Sequence, residues 1–559
     1  MPTNTSIFTL NWTPASPAPP NGYRVKYWDM SSPANITTVN PNPTAPPLIL
    51  TLPQVSKGYA GTIETSCASG YSSPVAFTAP FEILILVSAV TKIGNTSAWL
   101  ITSTQNFKVI WGDGSNNTYT AGTNISVTHT YGSAYTGTII IEAVDSNAFT
   151  KLDLTGGATP VLSNAVELKS SELLKFGNLE IFNINEDILV TGAAIDLPST
   201  LKTVYIPKST LSGNTTELPK ALTNLTLVTG NTITGNVSGL PNGLITLDIE
   251  GNNSLSGNIA GLPPSLTSVT ISGNNIISGN IQNLSTVVVN CMITGSNTIA
   301  GTISAMSSHF NLVSLTIQGN NTITGDLTGF STTSIATLNI VGINTISGSL
   351  SSLPYGSTQS VYITGSNTIT GSINSLPAKL TQLYIEGSNT VSGTLTSGLP
   401  TNLAILVVNG TGAGVITGNI TGLPSTVTTF GVYAGNTVSG TLSTMPASMV
   451  NFQATGSNTL TGDFALIPAN VKTFVLQGSN TATYATVKTW STTMYYVNIS
   501  KAAGYITAQL DQLFIDLYNG GVINWVSPKI ITVKGAVSAT STAARSGLLA
   551  NGVTITIIP

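Results

Sequence analysis

Leu222-Thr-Asn-Leu225-Thr-Leu227-Val-Thr-Gly230-Asn231-Thr-Ile233-Thr-Gly235-Asn-Val237-Ser-Gly-Leu240-Pro241 decides the fold, because the chain repeats this sentence about every 22 residues from roughly Ser209 to Asn480. The best copies read L-T-x-L-x-I-x-G-x-N-T-I-(S/T)-G-x-(I/L)-x-x-L-P. A glycine holds the register from Gly213 through Gly235, Gly257 and Gly279 to Gly462. Four residues before nearly every one stands an asparagine, from Asn231 to Asn458, with Gly414 in its place in the longest copy. A fixed period of this length specifies a solenoid. No single coil can bury its own apolar face, so stacked coils share one core and present an extended surface for binding.

Each position has a physical role. Leu225 and Leu227 alternate and so point to one face of a short strand. Gly230 and Asn231 turn the chain, Ile233 and Val237 return to the interior, and Leu240-Pro241 closes the coil. A turn at the same place in every coil leaves buried backbone groups unpaired, at about 1–3 kcal/mol each. An amide side chain donates and accepts at once, so stacked asparagines are expected to satisfy one another's backbones. Gly414 breaks the column, which predicts a local bulge between Asn409 and Gly418. Cys291 occupies a strand position that other copies fill with Leu or Val, which makes it a core residue.

The L-x-x-L-x-(L/I) run followed by the Asn column, as in Leu380, Leu383, Ile385 and Asn389, resembles the leucine-rich-repeat family. Leu255-Ser-Gly-Asn-Ile259 resembles the L-S-G-x-I segment of its extracellular members. One departure stands out: Asn231 lies six residues after Leu225, where the family's usual spacing is five. With Thr, Ser and Gly filling the rest of each coil, convex sides without real helices are expected.

Residues 1–81 alternate in short runs, Phe8-x-Leu10-x-Trp12 and Tyr23-x-Val25-x-Tyr27, between Pro/Gly/Asn turns. They resemble a fibronectin type III β-sandwich through Trp12, Gly22 to Tyr27 and Ser72 to Pro74. Tyr59-Ala-Gly61-Thr62-Ile63 followed by Cys67 resembles the copies in virion proteins of phages infecting Bacteroidota. Residues 82–146 resemble a PKD-type Ig-like domain through Trp111-Gly112-Asp113-Gly114-Ser115 and His129-Thr130-Tyr131. Residues 147–500 form the leucine-rich-repeat solenoid. It starts weakly after Ala148 with charged coils (Glu167, Lys169, Glu172, Lys175, Glu180) that suit a wetter capping end. Residues 501–559 form a capping segment with a helix over Thr507 to Tyr518, a second over Ser541 to Ala550, and strands at Ile530 and Val553. The fold class is therefore mainly all-β: two Ig-like β-sandwich domains, a leucine-rich-repeat β-solenoid, and a small α/β C-terminal cap expected to cover the last open edge.

Charged residues make up 7% of the chain and the net charge is −3, so a basic nucleic-acid footprint is absent. No window reaches a membrane span, and the start Met1-Pro-Thr-Asn-Thr reads as no secretory signal. The two histidines, His129 and His309, belong to no Ser/His/Asp set or H-E-x-x-H motif, and no cysteine pair has zinc spacing. No cofactor is expected, and Asp113 reads as a turn residue more readily than a Ca²⁺ ligand. Asp248 and Glu250 are a carboxylate pair on one outer strand face, with no second pair opposite for glycosidase work. The chain is expected not to be an enzyme.

The outward residues between the core positions carry the candidate site. One row runs Thr226, Asp248, Thr270, Met292, Thr316, Asn339, Tyr362, Tyr384. Two residues further along come Glu250, Ser272, Gln318, Glu386 and Tyr433. Aromatic faces beside neutral donors and acceptors suit sugars, although Thr and Tyr are also good strand formers on a solvated sheet. The candidate ligand residues are Tyr362, Tyr384, Tyr433, Glu386, Asp248 and Glu250.

Together these resemblances imply a non-enzymatic virion protein (fibre, spike or decoration) on the virion surface. Its N-terminal domain would attach to other virion proteins, its solenoid would contact a host surface protein or glycan, and it could form homo-oligomers. The alternative is a bacterial cell-surface or extracellular leucine-rich-repeat adhesin. A polysaccharide-processing enzyme comes third, because it needs acid/base carboxylates the chain does not supply.

Overall fold

A computed structural model of the chain describes residues 6–10, 23–29, 36–39, 43, 48–52, 59–67, 70–79, 81–88, 96–130, 137–143, 145–155, 166–186, 188–395, 398–411, 414–433, 435–490, 494–520 and 529–559. These fall into two compact units: residues 1–257 with 261–275, and residues 258–260 with 276–559.

The first unit opens with short antiparallel strands. Ser6–Leu10 pairs with Leu48–Leu52, while Tyr23–Asp29 pairs with Ile36–Thr38 and Tyr59–Cys67, and the last also pairs with Val75–Ala79. Tyr23, Val25 and Ile63 are buried, as their alternation requires. Trp12 and Tyr131 lie outside the described residues, as does the side chain of Cys67. A second antiparallel group follows. Phe81–Ser88 and Phe107–Ile110 flank Gly137–Ala143, and Thr96–Ser103 pairs with Gly122–Thr130.

This group does more than precede the coils. Thr96–Ser103 pairs antiparallel with Phe149–Leu154, the first strand of the ladder. Phe81–Ser88 meets Val166–Lys169 through Glu167. The early coils were expected to end in a wet, charged cap. Among the described residues, these paired strands cover part of the ladder's starting edge. Phe107, Phe149 and Phe176, packed edge to face at 5.5 and 5.9 Å, seal the junction. The charges of the early coils pair on the surface: Lys175 with Glu172 at 2.6 Å and Lys202 with Glu180 at 2.7 Å.

Coil anatomy is clearest in the second unit. The strand Thr337–Ser349 runs through two sheets. Leu338 and Ile340 enter the core from its first half, Ile346 from its second, all with no exposed area. Ser349 then accepts a hydrogen bond from Ser351 N and caps the 3₁₀ turn Leu350–Ser352. Leu350 and Leu353 close the coil. The expected helix-free far side is thus a row of single 3₁₀ turns. The second strand, read from sequence as part of the return to the core, builds a parallel sheet of its own.

The two sheets differ in register. In the first, equivalent residues face each other: Leu338 with Val361, Asn339 with Tyr362, Ile340 with Ile363. In the second, Ser347 faces Thr368 and Gly348 faces Ile369, a stagger of two residues per coil. That stagger brings Asn344 Oδ1 to Ile323 N at 3.0 Å and Asn367 Oδ1 to Ile346 N at 2.9 Å. Asn344 Nδ2 donates onward to Thr364 O at 3.2 Å, and Asn367 Nδ2 to Glu386 O at 2.9 Å. Asn344 and Asn367 each accept from the coil before and donate to the coil after, in full burial, while Asn253 accepts from the coil before but donates to Glu250 O of its own coil. The ladder expected from sequence is present, and its direction is set by the stagger.

At Gly414 the column fails as its sequence implies. A Cβ there would stand 2.4 Å from Val391 O and 2.7 Å from Val391 N, so the backbones meet where an amide would otherwise sit. The second sheet is interrupted at that level. Between Thr370 and Gly393 the ladder of the second sheet narrows to the bridge Ser372–Ser392 with single bonds beside it, such as Thr390 N to Ile369 O at 2.8 Å, and a separate four-stranded sheet begins at Gly393–Thr394. The bulge expected between Asn409 and Gly418 falls on a stretch whose residues 412 and 413 lie outside the described residues.

The C-terminal segment adds further strands to the ladder. Tyr496–Ile499, Ile530–Lys534 and Thr554–Ile558 continue the first sheet in parallel register. The helices Thr507–Asn519 and Thr542–Ala550 occur where the expected periodicity placed them, and Leu510, Leu513, Phe514 and Leu517 are buried.

Candidate functional site

The first sheet of the second unit presents one distinctive cluster on its outer face. Tyr362 and Tyr384 stand opposite each other on neighbouring strands, with ring centroids 4.4 Å apart and planes 10° from parallel. Tyr384 Oη donates to Glu386 Oε1 at 2.5 Å. Burial, and then the hydrogen bond and charge of Glu386, push the Tyr384 hydroxyl well above its ordinary range, so it stays a donor. Tyr433 Oη donates to Gln453 Oε1. Burial first and the Glu386 charge second push Tyr433 up as well. The carboxylate therefore lies within electrostatic reach of both hydroxyls. Among the described residues it has no ion-pair partner.

A glycine shapes the floor. Val407 occupies an outward position yet is only 4% exposed. At Gly431, beside it in the next strand, a Cβ would stand 3.3 Å from the Val407 methyls and 3.4 Å from Tyr433 Cε2. The missing side chain makes a notch in which the Tyr433 ring lies close to the strand. Gln453, Val407 and Gly431 were not singled out from sequence. The available signal was Gly431 itself, a glycine inside a strand without a turn to explain it.

Four of the sequence-derived site residues thus come together: Tyr362, Tyr384, Glu386 and Tyr433. Their geometry alters the expected chemistry. One face of each stacked ring is taken by its neighbour, so the pair offers rims and hydroxyls more than two open platforms. Asp248 and Glu250 belong to the first unit and form a separate pair. Burial, and then the Glu250 charge and hydrogen bond, raise Asp248 to about 6. Asp248 therefore keeps its proton to a higher pH than an ordinary carboxyl.

The remaining candidates have structural roles. His129 Nε2 lies 2.9 Å from Asp113 Oδ2, and its ring stacks on Trp111 at 4.6 Å. Asp113 also accepts from Ser115 N and Oγ. Burial opposes its charge, but these hydrogen bonds and His129 hold the carboxyl below its usual range. Asp113 thereby closes the turn. His309 is buried with Nε2 2.9 Å from Leu284 O. Cys291 is buried and free, and burial pushes its thiol up to about 12. Among the described residues no three His, Cys, Asp or Glu side chains gather as a metal set. No helix there is long and apolar enough to cross a membrane.

The repeats fold as a leucine-rich-repeat β-solenoid: parallel strands, an Asn column and 3₁₀ turns stacked coil on coil. No family model matches the chain, and no curated protein matches it. Solved structures similar to it include the plant peptide hormone receptor RGFR1 in complex with RGF2, at 19% identity and TM-score 0.44, covering 70% of this chain and 67% of that one. A TDR receptor is similar at 18% identity and TM-score 0.43, with 74% and 76% covered. The Leptospira interrogans leucine-rich-repeat protein LIC12759 is similar at 14% identity and TM-score 0.32, with 68% and 95% covered.

Proposed function

We propose that this chain is a non-enzymatic adhesion protein that recognises a host surface through the outer face of its first parallel sheet. The observation that carries the reading is the cluster of Tyr362, Tyr384, Glu386, Tyr433 and Gln453, which concentrates aromatic, anionic and amide groups on one stretch of that face. Such a mixture is what a recognition site for a polyhydroxylated ligand needs: apolar rims, donors and acceptors in fixed places. A regular β-solenoid holds these groups rigidly, which lowers the entropic cost of binding.

The place of action in this reading is the surface of a phage particle, as a fibre, spike or decoration. The fibronectin type III-like residues 1–81 and PKD-like residues 82–146 would serve attachment to other virion proteins. Support comes from the resemblance of Tyr59 to Cys67 to phage virion modules and from the order of Ig-like modules before repeats. Mass spectrometry of purified particles beside fractionated host cells tests it. Stoichiometric recovery in particles is expected. Recovery only in the host outer membrane or medium would replace this reading with that of a bacterial adhesin.

A further inference from the structure

Glu386 is the anomaly of the cluster. Along the outer face of the strands from Asn290 to Ile499, the outward positions carry Met292, Gln318, Asn339, Gln453 and Asn498 but only this one carboxylate. Tyr384 Oη occupies one of its oxygens. The other has no cation among the described residues. A carboxylate beside aromatic side chains with no cation of its own leaves a charge for a ligand to match, and that charge adds to burial in raising the two tyrosine hydroxyls. Such groups are relieved by a ligand that brings the opposite charge.

We propose that this site binds a primary ammonium carried on a saccharide, that is, an amino sugar with a free amine in a surface glycan. The inference rests on the adhesion reading above and names its ligand class. The ammonium would donate to Glu386 Oε2, a charge-assisted hydrogen bond. The face of the Tyr433 ring in its notch at Gly431 and the open faces of the Tyr362–Tyr384 stack would border the cation, where the negative face of an aromatic quadrupole favours positive charge. The Gln453 amide nitrogen, left free when its oxygen accepts from Tyr433, would donate to a ring or hydroxyl oxygen of the sugar. A peptide amine offers the same ammonium but not the hydroxyls that the neighbouring Thr, Asn and Gln side chains would meet. The saccharide is therefore the better fit.

The test measures binding of the full chain, at mildly acidic pH and low salt, to a glucosamine oligomer, to its fully N-acetylated counterpart and to a lysine-rich peptide. Wild type should prefer the free amine over the acetylated oligomer by about tenfold, the weight of one charge-assisted hydrogen bond. That preference should shrink with added salt. Glu386→Gln keeps the acceptor for Tyr384 and should bring the two oligomers to equal affinity. Gly431→Val, which pushes Tyr433 from its notch, should weaken the free-amine oligomer in a chain whose melting temperature shows it folded. Equal wild-type affinity for both oligomers, with Tyr362→Ala/Tyr384→Ala weakening both, would overturn the proposal and leave the adhesion reading standing. Failure to bind either oligomer, in a preparation that still binds host cells, would do the same. A lysine peptide binding as tightly as the glucosamine oligomer would overturn the saccharide assignment.

Discussion

Asn344 shows how much one side chain holds in this fold. Its oxygen satisfies Ile323 N in one coil and its nitrogen satisfies Thr364 O in the next, in complete burial. Asn344→Leu strands both backbone groups, and a loss of about 2–6 kcal/mol is expected at 1–3 kcal/mol for each. Denaturant unfolding, with hydrogen exchange at Ile323 as the local readout, checks it. Asp248 gives the opposite kind of prediction. Its carboxyl is raised from 3.8 to about 6 in the folded chain, so the folded state holds the proton more tightly. That stabilisation is complete below pH 4 or so and is lost as pH rises towards 6 and above. Asp248→Asn should therefore flatten the fall of melting temperature between these pH values and melt higher than wild type at pH 7. An unchanged pH profile would show that folding does not raise the Asp248 carboxyl. At this scale the sequence was most legible: an asparagine repeated in register ten times over announces its column. It could not disclose which coil each amide serves, because that depends on the stagger between strands.

Elements were legible in proportion to their length. The helix Thr507–Asn519 and the first-sheet strands follow from apolar spacing, and both lie where the pattern places them. The second sheet was missed, because a strand such as Thr232–Asn236 alternates over too few residues to be separated from a turn. The 3₁₀ turns escaped for the same reason. Stacking the coils this closely also fixes glycines. Gly365 has φ of +124°, and a Cβ on it would lie 2.6 Å from both Asn344 N and Asn344 O. Gly365→Ala should cost about 2–5 kcal/mol from backbone strain and overpacking. Gly356→Ala, where a Cβ meets nothing within 4 Å, should be close to neutral. Thermal melts of the two variants side by side decide it, and equal losses would refute the close-approach argument. Phe430, Phe452 and Phe474 stack at 5.6 and 5.7 Å in positions that other coils give to Leu or Val. Phe452→Ala should open a cavity worth about 3–5 kcal/mol, read by urea unfolding.

At the scale of the whole molecule, the repeat announces a solenoid with a binding face, and the face is where sequence and geometry part company. The outward rows could be written down from the period alone, since residues alternate across a strand. That Tyr362 and Tyr384 would stack was implied by their equivalent positions on neighbouring strands about 4.8 Å apart. What could not be read was the notch at Gly431, the descent of Tyr433 into it, and the isolation of Glu386, because each depends on rotamers chosen in three dimensions. Asp248 and Glu250, grouped with these residues by sequence, belong to the other unit and its own chemistry. The central claim is that the Tyr362–Tyr384–Glu386–Tyr433 cluster is a recognition site. It is tested most directly by titrating wild type and the double variant Tyr362→Ala/Tyr384→Ala against host cells, with matched melting temperatures to show that both are folded. The account predicts a loss of about tenfold or more in affinity for the variant, as expected when central aromatic contacts are removed. Unchanged cell binding would contradict it and return these tyrosines to the role of strand formers on a solvated sheet.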